Sequence, residues 1–295
     1  MRYVGDEEEA GRRAIEGQMT LNAVSLNVDG GWNGGLVLGP LLREMAVRTA
    51  PGGPQVVGGF VALQDMRLRG TEARSGGGNW TAGDPGEEPL DPVVYEYAPG
   101  PVSAVEVGAR VVGTMAMSGT MVLAWGMPAK RAKRLPELID SLGRYVGLLV
   151  EGRRTGSGGR GDVVVYSCYR PDEGTEGSLV ARMCREQGWE GAAKCAEMFY
   201  EDLGGSVAAQ KAAGREVLVM GDVNAVFRGT RPKDKQLTKW VLKHGLYAAE
   251  MGGEATFSRG AEGQGSRIDW CFASAGLKEG WGERKAEVRK VKERG

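Results

Sequence analysis

Two short segments in the C-terminal third carry residue types suited to chemistry on a phosphate ester. Gly221-Asp222-Val223-Asn224 follows the apolar run Val217-Leu218-Val219-Met220, and Ser266-Arg267-Ile268-Asp269-Trp270 comes some forty residues later. A carboxylate and a carboxamide two residues apart share one side of an extended backbone. The first can hold a water or a metal ion, and the second can donate to a phosphate oxygen, which together suit phosphodiester hydrolysis. Matching pieces occur upstream. Ala23 to Val28 is an apolar run that contains Asn27 and leads into Asp29 and Gly30. Phe60 to Leu63 leads into Gln64 and Asp65, and Val163 to Ser167 leads into Tyr169, Arg170 and Pro171. Each chemistry-bearing residue thus stands at the end of an apolar segment, where a strand would deliver it to a sheet edge.

Taken in order, these segments resemble the strand-end motifs of the endonuclease/exonuclease/phosphatase superfamily. Those motifs read roughly as Asn-x-Asn/Asp-Gly, Leu-Gln-Glu-x-x-Leu, Tyr-x-Pro, Gly-Asp-x-Asn, Ser-Arg-Ile-Asp-Tyr and a terminal Ser-Asp-His. Five of the six occur here in the family order, over about residues 20 to 285. The wording Gly-Asp-Val-Asn-Ala, Ala-Thr-Phe-Ser-Arg and Ser-Arg-Ile-Asp-Trp looks most like the endonuclease domains of non-LTR retrotransposons, with apurinic-site nucleases next.

The resemblance implies a role for each matching residue. Asp65 stands where the family has a metal-binding Glu, with Asn27 orienting it or touching the scissile phosphate. Asp29 would lie near DNA or metal. Asp222 would align or deprotonate the attacking water, and Asn224 would donate to the pentacoordinate phosphate. Tyr169 would place its hydroxyl on the phosphate or the water, with Arg170 beside it on the substrate. Asp269 would orient a catalytic histidine. The implied cofactor is Mg2+ or Mn2+, a hard cation that takes carboxylate and water oxygens. The implied partner is DNA, with the protein a monomer or part of a larger polyprotein, nuclear if derived from a retroelement. Plainer roles exist for most of these residues: Asn27 and Asp29 suit a turn before Gly30, and a strand Tyr is often simply core.

One departure stands out. The sequence has a single histidine, His244, between Lys243 and Gly245 and outside any Ser-Asp-His context. It reads as a surface residue or a cation at a helix C-terminus. The expectation is a nuclease with its final strand missing and its activity impaired. Two alternatives of other classes stand beside it: an inactive phosphate- or nucleic-acid-binding module, and a phosphatase for a small phosphoester.

The elements that must position these residues read as α/β. The expected fold is a four-layer sandwich of two mostly antiparallel or mixed β-sheets flanked by helices. Residues 1–19 read as a charged tail, 20–277 as the domain and 278–295 as a charged C-terminal segment. Helices are expected over Leu36–Thr49, Ser178–Ala213 and Lys235–His244, and a hairpin over Tyr145–Val150 and Asp162–Tyr169. The stretch Arg69–Pro101 reads as a long loop with short strands.

Composition bounds the rest. The 295 residues are 41% hydrophobic, include 49 glycines and carry a formal net charge of zero, so no global field attracts nucleic acid. Basic stretches at Lys130–Arg134 and Arg228–Lys243 would supply local phosphate contacts. No stretch reads as a membrane span or secretory signal. Cys168, Cys184, Cys195 and Cys271 lack metal-site spacing and suit an intracellular protein with reduced thiols.

Overall fold

The computed structural model describes residues 20–27, 56–64, 93–97, 109–115, 120–126, 128–133, 135–152, 161–170, 187–249 and 268–281. Two sheets form among them. The first has strands β1 (Thr20–Asn27), β2 (Val56–Gln64), β3 (Val93–Tyr97), β4 (Ala109–Met115) and β5 (Met121–Gly126), in the order β1-β2-β5-β4-β3. The second has β6 (Ala132–Lys133), β7 (Tyr145–Val150), β8 (Val163–Tyr169), β9 (Glu216–Asp222), β10 (Tyr247–Ala248) and β11 (Asp269–Ala273), in the order β10-β11-β9-β8-β7-β6. Both sheets are mixed: β1 with β2 and β8 with β9 run parallel, and the other pairs run antiparallel. Parallel neighbours need a crossover, and helix α1 (Ala192–Ala212) lies between β8 and β9 in the chain. Helix α2 (Pro232–Lys243) follows β9, and the short helix α3 (Ala275–Trp281) follows β11.

The core has two compartments, and strand alternation decides which residue enters which. Leu218 and Met220 of β9 and Val165 of β8 face the first sheet and pack with Phe60, Ala62, Val122 and Ala124. Val217 and Val219, together with Val164 and Tyr166, face the helices and pack with Phe199, Leu203, Val207, Leu237 and Trp240. A strand covered on both faces reads as a continuous apolar run, which explains why Val217–Met220 shows no alternation.

Polar ties sew the two sheets together at one edge. Gln64 Nε2 donates to Ser167 Oγ at 3.0 Å, Ser167 Oγ donates to the Leu63 carbonyl at 2.9 Å, and Ser25 Oγ donates to Gln64 Oε1 at 3.3 Å. Gln64 and Ser167 are fully buried, so a one-residue slip would leave both unsatisfied in an apolar layer. Nearby, Thr120 Oγ1 donates to the Gly143 carbonyl at 2.9 Å.

The structure refines several expectations. The expected helix over 178–213 is interrupted where Gly188 and Gly191 adopt φ of 66° and 88°, and α1 runs from Ala192 to Ala212. Helix α2 starts at Pro232, three residues earlier than expected. Asp234 accepts from the Arg231 amide at 3.1 Å and so caps that turn. Strand β4 carries no clear sequence signal, while β3 is a short strand of the kind expected within 69–101. The helix expected at 36–49 and the 1–19 tail lie outside the described residues. No helix among the described residues is long and apolar enough to cross a membrane.

Candidate active site

Strand register brings three of the expected site residues into one row. Tyr169 of β8 is the neighbour of Asp222 on β9, and Asp222 is the neighbour of Asp269 on β11. Paired residues on adjacent strands share a face, so all three side chains project on the face of Met220 and Val165, toward the first sheet. The Val223 amide donates to the Ile268 carbonyl at 3.0 Å. That bond makes Asp222 and Asp269 a non-hydrogen-bonded antiparallel pair, the geometry in which Cα atoms approach to about 4.5 Å. Asp222 is buried and Asp269 half-buried.

The loop after β9 holds the fourth residue. Asn224 adopts a left-handed φ of 49°, a conformation that Asn tolerates better than most residues. Its amide donates to Asp222 Oδ1 at 2.9 Å, and its side-chain nitrogen donates to the Arg170 carbonyl at 2.8 Å. A carboxamide nitrogen carries two hydrogens, so this bond anchors the group and uses only one of them. Arg228, four residues on, also has positive φ, at 61°. Among the described residues these two are the only non-glycine positions with positive φ. Such strain persists where the surroundings over-determine it, and the surroundings here are explicit. Trp270 Nε1 donates to the Ala225 carbonyl at 3.0 Å, Asp234 Oδ1 accepts from the Val226 amide at 2.8 Å, and Thr238 Oγ1 accepts from the Arg228 amide at 2.8 Å.

Gly221 is required by close approach. A Cβ built there would lie 1.9 Å from the Cys168 carbonyl oxygen, a backbone atom that cannot swing away. The glycine of Gly-Asp-Val-Asn thus lets β9 pass β8 closely enough to set Asp222 beside Tyr169.

On the β7 side, a buried ion network fixes Tyr169. Arg144 Nε and Nη2 donate to the two Asp140 carboxylate oxygens at 2.8 and 2.9 Å, and Nη2 also donates to Asp202 at 2.5 Å. The Arg144 carbonyl then accepts from the Tyr169 amide at 2.8 Å. Nothing local marks the partners of Arg144, Asp140, Asp202 and Asp234, and Gln64 and Ser167, although they stand beside Asp65 and Tyr169 in two of the motif segments, carry no local mark of pairing with each other. Ser167 did leave one signal, a polar residue in register with Val165 and Tyr169 on a face that is otherwise buried.

Arg170 corrects an expectation. The residue was expected on the substrate, but its side chain is fully buried, with the guanidinium carbon 6.0 Å from the centre of the Tyr200 ring of α1. It serves the site through its backbone, donating to the Asp222 carbonyl at 2.8 Å and accepting from Asn224.

His244 lies at the helix C-terminus expected for it. It is the C-terminal cap of α2, half-buried, with its ring 5.5 Å from that of Trp240. Burial first, then the charges of Lys243 and Lys211, hold its pKa below 6.5. The cation at this helix end is Lys211, whose Nζ donates to the His244 carbonyl at 2.5 Å. Tyr247, just beyond, pairs with Ala273, the end of β11 farthest from Asp269. His244 therefore lies at the opposite edge from the carboxylates. Its pKa is lower folded than unfolded, so it contributes stability that is full above the unfolded value near 6.5 and is lost as pH falls through the folded value. His244→Gln should flatten the decline of melting temperature from neutral pH toward pH 5, and an unchanged decline would assign it to other groups.

The donor chemistry at the row suits a hard cation. Cys168 lies beneath it, and burial, with the Asp222 and Asp269 charges adding, pushes its thiol far above the usual range. Burial pushes the Cys271 thiol up to about 12. The side chains of the row itself offer oxygen donors, as Mg2+ or Mn2+ prefers. Among the described residues no group of three or more His, Cys, Asp and Glu forms a metal cluster. Asp65, the expected ligand, and Asp29 lie outside the described residues, as does the side chain of Asn27. The Asn27 backbone is described: it pairs with Gln64 at the ends of β1 and β2, the sheet-one edge that Gln64 ties to Ser167.

A two-sheet α/β sandwich with acid, amide and phenol side chains gathered at one edge defines a class of fold, and the sequence match defines the family within it. The profile of the endonuclease/exonuclease/phosphatase family matches residues 27–285, and the chain belongs to that family. Among solved structures it is similar to the endonuclease domain of TRAS1, a telomere-specific non-LTR retrotransposon, with 15% identity, 88% of each chain covered and a TM-score of 0.48. It is also similar to the Xenopus laevis APE2 catalytic domain, with 13% identity, 87% of this chain and 83% of that chain covered, and a TM-score of 0.46. An AP endonuclease from Archaeoglobus fulgidus shows 12% identity, 88% and 89% coverage, and a TM-score of 0.45. No curated protein matches the sequence.

Proposed function

We propose that this protein is a divalent-metal-dependent phosphodiesterase acting on DNA, an endonuclease of slow turnover. The observation that supports it most is the row Tyr169–Asp222–Asp269 with Asn224 fixed beside it. Asp222 accepts the proton of the attacking water, with one of its oxygens held by the Asn224 amide. Asn224 presents its second amide hydrogen to a non-bridging phosphate oxygen, a preorganised donor where charge develops. Tyr169 donates its hydroxyl to the same phosphate. Asp269 faces Asp222 at short range across the strand pair. A bound Mg2+ would neutralise phosphate charge and act as a Lewis acid, held by Asp222 or Asp269 together with Asp65. The slow turnover is inferred from the position of the sequence's one histidine, His244, at the far end of α2.

The test is plasmid nicking in magnesium by the full chain, Asp222→Asn and His244→Ala. Slow nicking that requires Asp222 and ignores His244 is expected. Nicking abolished by His244→Ala would overturn this assignment of roles. Asp65 has its own check: magnesium calorimetry should show weaker binding by Asp65→Ala than by the unsubstituted chain, and equal binding would remove Asp65 from the site.

A second reading, an inactive nucleic-acid-binding module, draws on the same position of His244 at the far end of α2. It would show as duplex binding without any metal-dependent nicking.

A further inference from the structure

Helix α2 carries more positive charge on one exposed face than its packing requires. Lys235, Lys239 and Lys243 recur at every fourth position, so they align along a single stripe. All three are exposed, as is Arg228 in the loop that precedes the helix. With Thr238 and Leu242 they line one open groove. Among the described residues none of these four cations is matched to a carboxylate. Like charges four apart repel and weaken a helix, so folding alone gives no reason for the stripe.

Its position ties it to the site. Arg228 is four residues past Asn224, and Thr238 of α2 holds its backbone in place. Its guanidinium lies 5.3 Å from the Phe227 ring centre, alongside the groove rather than in the core. From there α2 runs from the Asp222 edge toward His244 at the opposite edge. Eight residues of helix rise about 12 Å, which matches three to four phosphates along one strand of a duplex.

We infer that the Lys235–Lys239–Lys243 face of α2, with Arg228 at its head, is an exosite for the phosphate backbone of duplex DNA flanking the bond at Asp222. The inference rests on reading the Asp222–Asn224 site as a phosphodiester site. Charge complementarity selects the occupant. A membrane surface would need a broad apolar face beside the lysines, but Leu237, Trp240 and Val241 are buried in the core, and of the large apolar side chains of α2 Leu242 alone is exposed. The contact is sequence-independent, since lysines on phosphates fix register without reading bases.

The experiment is fluorescence anisotropy of the full chain on a mixed-sequence duplex of about 30 base pairs, in EDTA, at about 50 to 200 mM salt. Lys235→Gln/Lys239→Gln/Lys243→Gln should reduce the slope of log affinity against log salt by about 2.7, which shrinks the affinity lost across that range about 40-fold. The matching triple Lys→Arg variant should keep the slope. Lys239→Gln alone should reduce it by about 0.9, and serves if the triple variant does not fold. An unchanged slope in the Gln variants overturns the exosite, as does stripe-dependent binding to phosphatidylserine vesicles with duplex binding unaltered. Because binding is read without metal, the two ideas fail separately. Stripe-dependent binding by a chain that never nicks supports the exosite and sinks the hydrolase reading, whereas nicking with an unaltered slope does the reverse.

Discussion

Asp222→Asn should slow magnesium-dependent nicking by about 10²–10⁴-fold, the usual loss for a positioned acid–base group, while leaving the fold in place. Asparagine retains an oxygen where Asp222 Oδ1 accepts from the Asn224 amide, so the left-handed turn survives. What is lost is the negative charge and the ability to take a proton from water. Asp222→Ala should add a structural defect, because it also removes the acceptor that stabilises the Asn224 turn. The two variants therefore separate chemistry from positioning: similar melting temperatures for wild type and Asp222→Asn, with nicking lost, would place Asp222 in the reaction. Undiminished nicking by Asp222→Asn would place the chemistry elsewhere.

Arg144→Met should be the most destabilising single change at the site edge. Arg144 is buried, holds Asp140 by two side-chain bonds and reaches Asp202. Asp140 is itself buried, and removing one member of a buried pair leaves an uncompensated charge that costs about 3–5 kcal/mol. For a domain of this size that corresponds to a fall of roughly 6–20 °C in melting temperature. The double variant Arg144→Met/Asp140→Leu should recover much of the loss, since replacing both partners by apolar groups removes the orphaned charge. Denaturant unfolding of both variants checks it. A double variant no better than the single would mean that the network acts through the Tyr169 backbone bond more than through charge.

These two expectations come from different layers of information. The placement of Asp222 was legible in the residues themselves. An apolar run ending in Gly-Asp-x-Asn says that a buried strand delivers a carboxylate and an amide to an edge, and β9 does so. The Tyr145–Val150 and Asp162–Tyr169 hairpin was legible for the same reason, because strand periodicity and turn chemistry are local. Strand β4 and the break at Gly188–Gly191 were not. Pairing with β5 sustains the former, and the latter depends on glycines whose backbone freedom admits either a helix or a turn.

The part played by Arg144 was illegible, as were those of Gln64, Ser167, Asp234 and Trp270. Each acts through a partner set by packing, several of them more than fifty residues away in the chain, and nothing local marks which buried polar group will meet which. Arg170 shows the limit most clearly. By sequence it stands beside Tyr169 as a cation near a phosphate, yet strand alternation sends it to the opposite face, over Tyr200. By itself, then, the sequence determined most of the strands, though not β4, the order of their chemistry-bearing ends and the family. Tertiary structure alone decided which of those ends meet. Side chains alternate along a strand with a period of two, so register between strands, set by long-range pairing and by the Gln64–Ser167 bond across the sheets, determines whether a residue faces the site or the core.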